Sequence, residues 1–292
     1  MSKIALLIGC QYTNYSNQGL MNLLPGCHDD VKLFSKLLKD YYNYTDNEII
    51  ILMDDDNDDS DDNSNLQPTK NNIIKYLCKF IDLQTQCIVI YYAGHGIRVV
   101  SKNIETTDIN ENNEEKNLYD ECMVPCDYKT QGVITDDTLH DIFWTKLHKE
   151  KVSRVSAIFD CCNSGTLFDL PFLYQYPNQL KIATKRTEDI KYSDNHPLIF
   201  SISGCKDNQT SSAKEYKEDL KESTYNQERT VKWQGAMSYF LRLTLAKHEY
   251  KPIPLNVLID ELRHALKSNN FSQIPQLAIS KQIIPSEVYF HL

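Results

Sequence analysis

The 292-residue chain is 41% hydrophobic and 24% charged, proportions that exclude wholesale disorder and allow one large α/β domain or two small ones. Its net charge of −9 is local, because seven aspartates fall between Asp54 and Asp62, and no Lys/Arg cluster offers a footprint for nucleic acid. Nine irregularly spaced cysteines fit a reducing, cytoplasmic compartment better than a disulfide framework, and no apolar run approaches the ~20 residues that span a bilayer. A soluble single domain over residues 1–292 is expected, without nucleic-acid or membrane partners.

In chain order, Lys3 to Gly9 reads as a first strand and not a signal segment, since it runs into polar QYTNYSNQ without a small-residue cleavage site. A helix is expected from Asp29 to Tyr41, with Val31, Leu33, Phe34, Leu37 and Leu38 on its apolar face. Glu48 to Met53 is a second buried strand. Thr69 is placed to cap a helix carrying Ile73, Ile74, Leu77, Phe80 and Ile81, and Cys87 to Tyr92 forms a third strand. Asp136 to Leu147 reads as helix, Arg154 to Phe159 and Leu198 to Ser203 as strands. Trp233 to Ala246 and Leu255 to Lys267 read as helices, and Gln276 to Ser280 as a last strand. This alternation, with continuously apolar strands, predicts an α/β fold: a mostly parallel central sheet of about six strands flanked by helices on both faces. The Asp-rich run 54–65, Lys102 to Asn117 and Lys206 to Arg229 carry no buried period and are assigned to surface loops.

Reactive groups in such a sheet gather where strands end at their carboxyl side. The third strand runs into Ala93-Gly94-His95-Gly96, and the fourth into Asp160-Cys161-Cys162-Asn163-Ser164-Gly165. Singly, a histidine there is more often a hydrogen-bonded structural residue and a cysteine more often core. Together they favour an imidazole that activates a thiolate. The Asp54–Asp62 run lacks the sixth-position glycine and closing glutamate of an EF-hand, so a solvated acidic loop is expected. Cys122, Cys126 and Cys161 do not have zinc spacing, and no phosphate-binding glycine loop is present in the sequence.

The blocks YYAGHG and DCCNSG resemble the paired motifs of the metacaspases, usually written YSGHG and DSCHSG, within the caspase-like peptidases. LPGCHDD, YDECMVPCD, ITDD and ISGCKDNQTSSA resemble further family segments in the same order. The resemblance implies a caspase-like cysteine endopeptidase with His95 and Cys162 as catalytic pair, and an oxyanion hole from the N–H groups of Gly96 and Cys162. It also implies cleavage of protein substrates after Arg or Lys, with Cys27, Asp30, Ala93 and Asp160 lining the pocket for that side chain. For Asp29 and Asp30 the competing reading is favourable charge at a helix N-terminus.

The resemblance further implies an activating calcium site at Asp120, Asp136, Asp137 and Asp169. Carboxylates from separate loops would repel one another without a cation, and helix capping after Thr135 is the alternative for Asp136 and Asp137. Two positions depart from the family pattern: Ala93 stands where a serine lines the pocket, and Asn163 where a histidine follows the nucleophile. The expected organisation is a minimal type I-like monomer without a prodomain. Its large-subunit-like part covers about residues 1–180 and its small-subunit-like part about 190–292, with self-cleavage open at basic residues of Lys181 to Lys191 or Lys206 to Arg229.

Overall fold

The computed structural model describes residues 2–13, 22–54, 66–83, 85–101, 119–147, 152–162, 164–175, 179–182, 196–206, 213–217 and 231–292. The first half contains β1 (Lys3–Gly9), α1 (Cys27–Tyr42), β2 (Ile49–Met53), α2 (Lys70–Asp82), β3 (Cys87–Ala93), β4 (Gly96–Val100), β5 (Tyr119–Met123), α3 (Tyr128–Gln131), β6 (Ile134–Thr135) and α4 (Asp136–His140). There follow β7 (Arg154–Asp160), β8 (Phe172–Gln175), β9 (Gln179–Ile182), β10 (Leu198–Ser203), β11 (Ala213–Lys217) and β12 (Val231–Gly235). The chain ends with α5 (Ala236–Lys247), β13 (Ile253–Pro254), α6 (Leu255–Ser268), β14 (Gln276–Ile279) and β15 (Tyr289–Phe290).

The central sheet has eight strands in the order β2-β1-β3-β7-β10-β14-β8-β9. Its first five strands are parallel and the remaining three pair antiparallel. The six strands expected from the sequence lie side by side, and the β8–β9 hairpin extends them. In that hairpin β8 buries Phe172 and Tyr174 but spans four residues, and β9 is mostly exposed, so neither strand carries a long hydrophobic run.

Successive side chains of a strand point to opposite faces, which gives the sheet two cores. On one face Leu7, Val89, Tyr91, Ile158 and Phe200 pack against Val31 and Phe34 of α1, Met237 and Leu241 of α5 and Leu258 of α6. On the other, Leu6, Ile8, Ile90, Tyr92, Ala157 and Phe159 meet Ile73, Leu77 and Phe80 of α2 together with Leu139 and Phe143. α1 ends where Asn43, in the left-handed conformation, returns its N–H to the Leu38 carbonyl.

Several boundaries differ from expectation. The helix predicted from Trp233 begins at Ala236, because Val231–Gly235 is a strand paired with β11 and the Gly235 N–H is taken by Asp30. The segment predicted helical from Asp136 runs as α4 and then as a π-helical turn, Asp141–Thr145. Within the Lys206 to Arg229 loop, β11 is a strand, and Lys181 lies within β9. Asp54, grouped by sequence with a solvated run, is buried beyond the end of β2. Residues 55–65, 102–117 and most of 206–229 lie outside the described residues.

Thr69 caps α2 as expected, its Oγ1 accepting the Asn72 N–H at 3.2 Å while Asp127 Oδ1 accepts that of Lys70 at 2.8 Å. Thr69→Ala is therefore expected to lower stability by about 1 kcal/mol in denaturant unfolding without altering the slope of the transition.

Candidate active site

β3 and β7 are neighbours in parallel register, with Ala93 opposite Asp160. His95 and Cys162 each follow two residues beyond that pair, so both leave the sheet at the same level from adjacent strands. On its other side β3 pairs with β1, with Gly9 opposite Ala93, and the chain beyond β1 packs against His95.

His95 is held at three points. Its N–H donates to Tyr12 Oη at 2.8 Å, its carbonyl accepts from Tyr92 Oη at 2.7 Å, and its ring Nε2 lies 2.8 Å from the Asn22 carbonyl. A carbonyl only accepts, so Nε2 carries the proton and a neutral ring has its lone pair on Nδ1. Burial holds the imidazole pKa below its ordinary value, partly offset by the Asn22 bond. The neutral, proton-accepting form is thereby favoured.

The two adjacent cysteines differ in environment. Cys161 is buried, and burial pushes its thiol pKa well above the usual range. Cys162 is half-exposed, one of two cysteines that are not buried, the other being Cys78 on α2. The turn carrying it is pinned through the Cys161 carbonyl, which accepts from Ser164 Oγ at 2.8 Å and from the Cys205 thiol at 3.3 Å. Gly96 sits against this turn: a Cβ there would lie 1.9 Å from the Cys162 carbonyl oxygen. The glycine is required for the His95 and Cys162 turns to approach each other.

On the side of the sheet covered by α1 and α5 lies a pair of buried carboxylates. Asp30 of α1 is 3% exposed and Asp160 at the end of β7 is 7% exposed, with Cys27 and Ala93 also buried. Asp30 Oδ2 accepts the Gly235 N–H at 2.8 Å, and Asp160 Oδ2 accepts from Ser238 N and Oγ at 2.9 and 2.7 Å. A Cβ on Gly235 would lie 2.2 Å from Asp160 Oδ2 and 3.2 Å from Asp30 Oδ2, so the two carboxylates converge on this glycine. Asp30 Oδ1 is buried and has no hydrogen-bond partner among the described residues. Burial and then the charge of Asp160 raise the Asp30 pKa well above the carboxylate range, opposed by the Gly235 N–H and Arg242. The Arg242 guanidinium itself donates to Gln234.

The residues expected to hold calcium lie around β5 and α4. Asp136 is buried, its oxygens accepting from Glu121 N at 3.2 Å and Asp137 N at 2.8 Å. Its carboxyl is pushed up to about 8 by burial, then by Glu121 and, more weakly, Asp169. Thr135 caps α4 by accepting the Thr138 N–H. Asp120 lies in β5, and Asp169 has a left-handed backbone with φ 45°. Among the described residues, no three His, Cys, Asp or Glu side chains converge closely enough to hold a metal ion.

The sequence profile of the metacaspase, peptidase C14 domain family matches residues 3–171. The chain belongs to the metacaspases. Metacaspase-2 of Trypanosoma brucei brucei is 32% identical over 284 residues, covering 96% of this chain and 73% of that protein. Metacaspase-1 of Debaryomyces hansenii is 30% identical, covering 95% and 64%. A T. brucei brucei relative named inactive metacaspase-4 is 29% identical, covering 95% and 72%. Among solved structures, protein GSU0716 of Geobacter sulfurreducens superposes with TM-score 0.58 at 17% identity, covering 100% of this chain and 98% of that one, a likeness of fold.

Membership of this peptidase family makes the protein a caspase-like cysteine-type endopeptidase acting on protein substrates. No helix among the described residues is long and apolar enough to cross a membrane. The metacaspase site also uses residues that sequence reading passed over: Tyr12, Asn22, Tyr92, Ser238 and Gly235. Tyr92 reads as the end of an apolar strand and Tyr12 as part of a polar segment, and nothing in the sequence marks a main-chain carbonyl as an imidazole partner. Asn163, beside the nucleophile candidate, is outside the described residues.

Gly96→Ala is expected to displace the His95 or Cys162 turn. Peptide hydrolysis should fall by on the order of 10²-fold while the folded fraction, followed by thermal melting, stays high.

Proposed function

We propose that this metacaspase cleaves peptide bonds after Arg or Lys, with Cys162 as nucleophile and His95 as general base. The observation that carries the specificity is the pair of buried carboxylates, Asp30 and Asp160, which converge on Gly235 and leave Asp30 Oδ1 unpaired. A guanidinium or ammonium offers that oxygen a donor and cancels the mutual repulsion of the pair. An acidic side chain would add to the repulsion, which disfavours an Asp-directed enzyme.

In the proposed reaction the Cys162 thiol gives its proton to His95 Nδ1, and the sulfur attacks the carbonyl carbon of the basic residue. The N–H groups of Gly96 and Cys162 stabilise the oxyanion. Collapse expels the amine, which takes the proton from His95. Water, deprotonated by the same imidazole, then attacks the acyl-enzyme and restores the thiol.

The alternative is a caspase-like binding module without turnover, favoured by the relative named inactive and by Ala93 in place of the family's serine. Retention of His95 and half-exposed Cys162 favours the enzyme. An Arg-bearing peptide electrophile separates the two, because a non-catalytic module leaves Cys162 unmodified.

Asp30→Asn is expected to lower kcat/KM for an Arg reporter by on the order of 10²-fold, and unchanged selectivity for Arg over neutral residues would contradict the pocket assignment. For the base, the sign follows from the depressed His95 pKa: the neutral ring persists to lower pH. The acid limb of kcat/KM should therefore fall below the ordinary histidine value of 6.5.

Calcium activation is proposed at Asp120, Asp136, Asp137 and Asp169, with Glu121 as an added neighbour. The fit rests on the chemistry of the donors: the buried Asp136 carboxyl is raised partly by the charges of Glu121 and Asp169, repulsion that a divalent cation would relieve. Holding an ion would require the Asp136 carboxylate to share or give up its present bonds from the Glu121 and Asp137 N–H groups. Calcium should raise the melting temperature of the parent protein and leave an Asp136→Asn/Asp137→Asn variant unmoved, and a parent protein that shows no shift would contradict the site.

A further inference from the structure

Asp54 has a place in the structure that its acidic neighbourhood in the sequence conceals. Its Oδ1 accepts the Gln11 N–H at 2.8 Å and its Oδ2 the Tyr12 N–H at 2.6 Å. Successive main-chain N–H groups closing on one anion form a nest. Oδ1 also lies 2.7 Å from His28 Nε2, and both side chains are buried. Thr13 Oγ1 donates to the Asp54 carbonyl at 3.2 Å.

Tyr12 is held by this clamp in a left-handed conformation, φ 61°, which is uncommon for a bulky residue. The enforced turn aims the Tyr12 hydroxyl at the catalytic loop. Tyr12 Oη accepts the His95 N–H and donates to the Val124 carbonyl at 2.7 Å. The phenol ring lies 4.8 Å from the imidazole, tilted by 35°. The same turn also reaches the other side of the ring: the Gln11 carbonyl accepts the Leu24 N–H at 3.2 Å, steadying the segment whose Asn22 carbonyl takes the His95 Nε2 proton.

We propose that Asp54, oriented by His28, is a positioning residue for His95, acting through the Tyr12 turn on both the main chain and the ring of the histidine. The inference rests on His95 being the general base. The carboxylate has two oxygens and uses both on adjacent N–H groups, so the geometry of the turn is specific to an Asp at this position. Loss of the clamp lets Tyr12 relax to negative φ, which removes the hydroxyl from the His95 N–H and frees the loop to misplace Nδ1. Its effect should fall on the chemical step more than on substrate binding, because the clamp bonds the Tyr12 turn, whereas Asp30 and Asp160 are held by Gly235 and Ser238.

The test is turnover of an Arg reporter by the full chain, normalised to sites titrated with an Arg-bearing peptide electrophile so that unfolded protein does not count. Tyr12→Phe keeps the ring and the core, and Asp54→Asn keeps one acceptor oxygen. Both are expected to lose about tenfold or more in kcat per titrated site with KM within about threefold of the parent. His28→Gln, which retains a donor for Asp54, should keep most of the rate, and His28→Leu should fall with Asp54→Asn. The proposal is overturned if Tyr12→Phe and Asp54→Asn both turn over within about twofold of the parent, or if their loss lies in KM alone. A His95→Ala protein that retains the parent kcat would overturn the assignment of the base and this inference with it. Intact kcat in both Tyr12→Phe and Asp54→Asn beside an inert His95→Ala overturns the positioning role alone.

Discussion

Parallel pairing of β3 with β7 is the constraint on which the rest of the site depends. With Ala93 opposite Asp160, the two residues that follow each strand are delivered to the same level with no long-range adjustment. A slip of one residue in this register would invert every side chain of one strand relative to the other and part the histidine from the thiol. The register is fixed by burial on both faces: Ile88, Ile90 and Tyr92 are committed to one core, Val89, Tyr91 and Ala93 to the other.

The same alternation divides the work of the site between the two faces. Tyr92 turns toward His95 and holds its carbonyl, while Tyr91 turns the other way and meets Ser238, whose hydroxyl and N–H bind Asp160. Adjacent residues of one strand thus support His95 on one side and the Asp30–Asp160 carboxylate pair on the other. Gly96 and Gly235 mark where each half closes on its neighbour, since neither position has room for a Cβ. The carboxylate pair is assembled from distant parts of the chain, α1, the end of β7 and the start of α5. Its carboxylates are therefore placed by the packing of the whole domain.

The strands and long helices were legible because their apolar periods are strong: Lys3–Gly9 and Leu198–Ser203 lie where the hydrophobic pattern puts them, and Thr69 caps α2 as its type demands. The β8–β9 hairpin and β12 were not: β8 is a four-residue strand, β9 is mostly exposed, β12 mixes polar and apolar residues, and β8 and β12 are fixed by partners remote in sequence. Placing His95 and Cys162 at strand ends needed only chain order and glycine turns. Choosing Cys162 over Cys161 needed a resemblance in sequence, and the structure adds a physical difference, exposure of one thiol and burial of the other. Asp54 was misread because composition averages over neighbours: it stands first in an acidic run yet sits beneath the histidine loop, a distinction carried by tertiary contact alone.

The central claim is that Cys162, activated by His95, is the thiol that meets a substrate presenting a basic side chain. Peptide mapping by mass spectrometry after treatment with Arg-bearing and Asp-bearing electrophiles tests it most directly. The account predicts modification of Cys162 alone, by the Arg-bearing probe, and loss of that modification in His95→Ala. Modification of Cys161, preference for the Asp-bearing probe, or undiminished labelling of Cys162 in His95→Ala would contradict it.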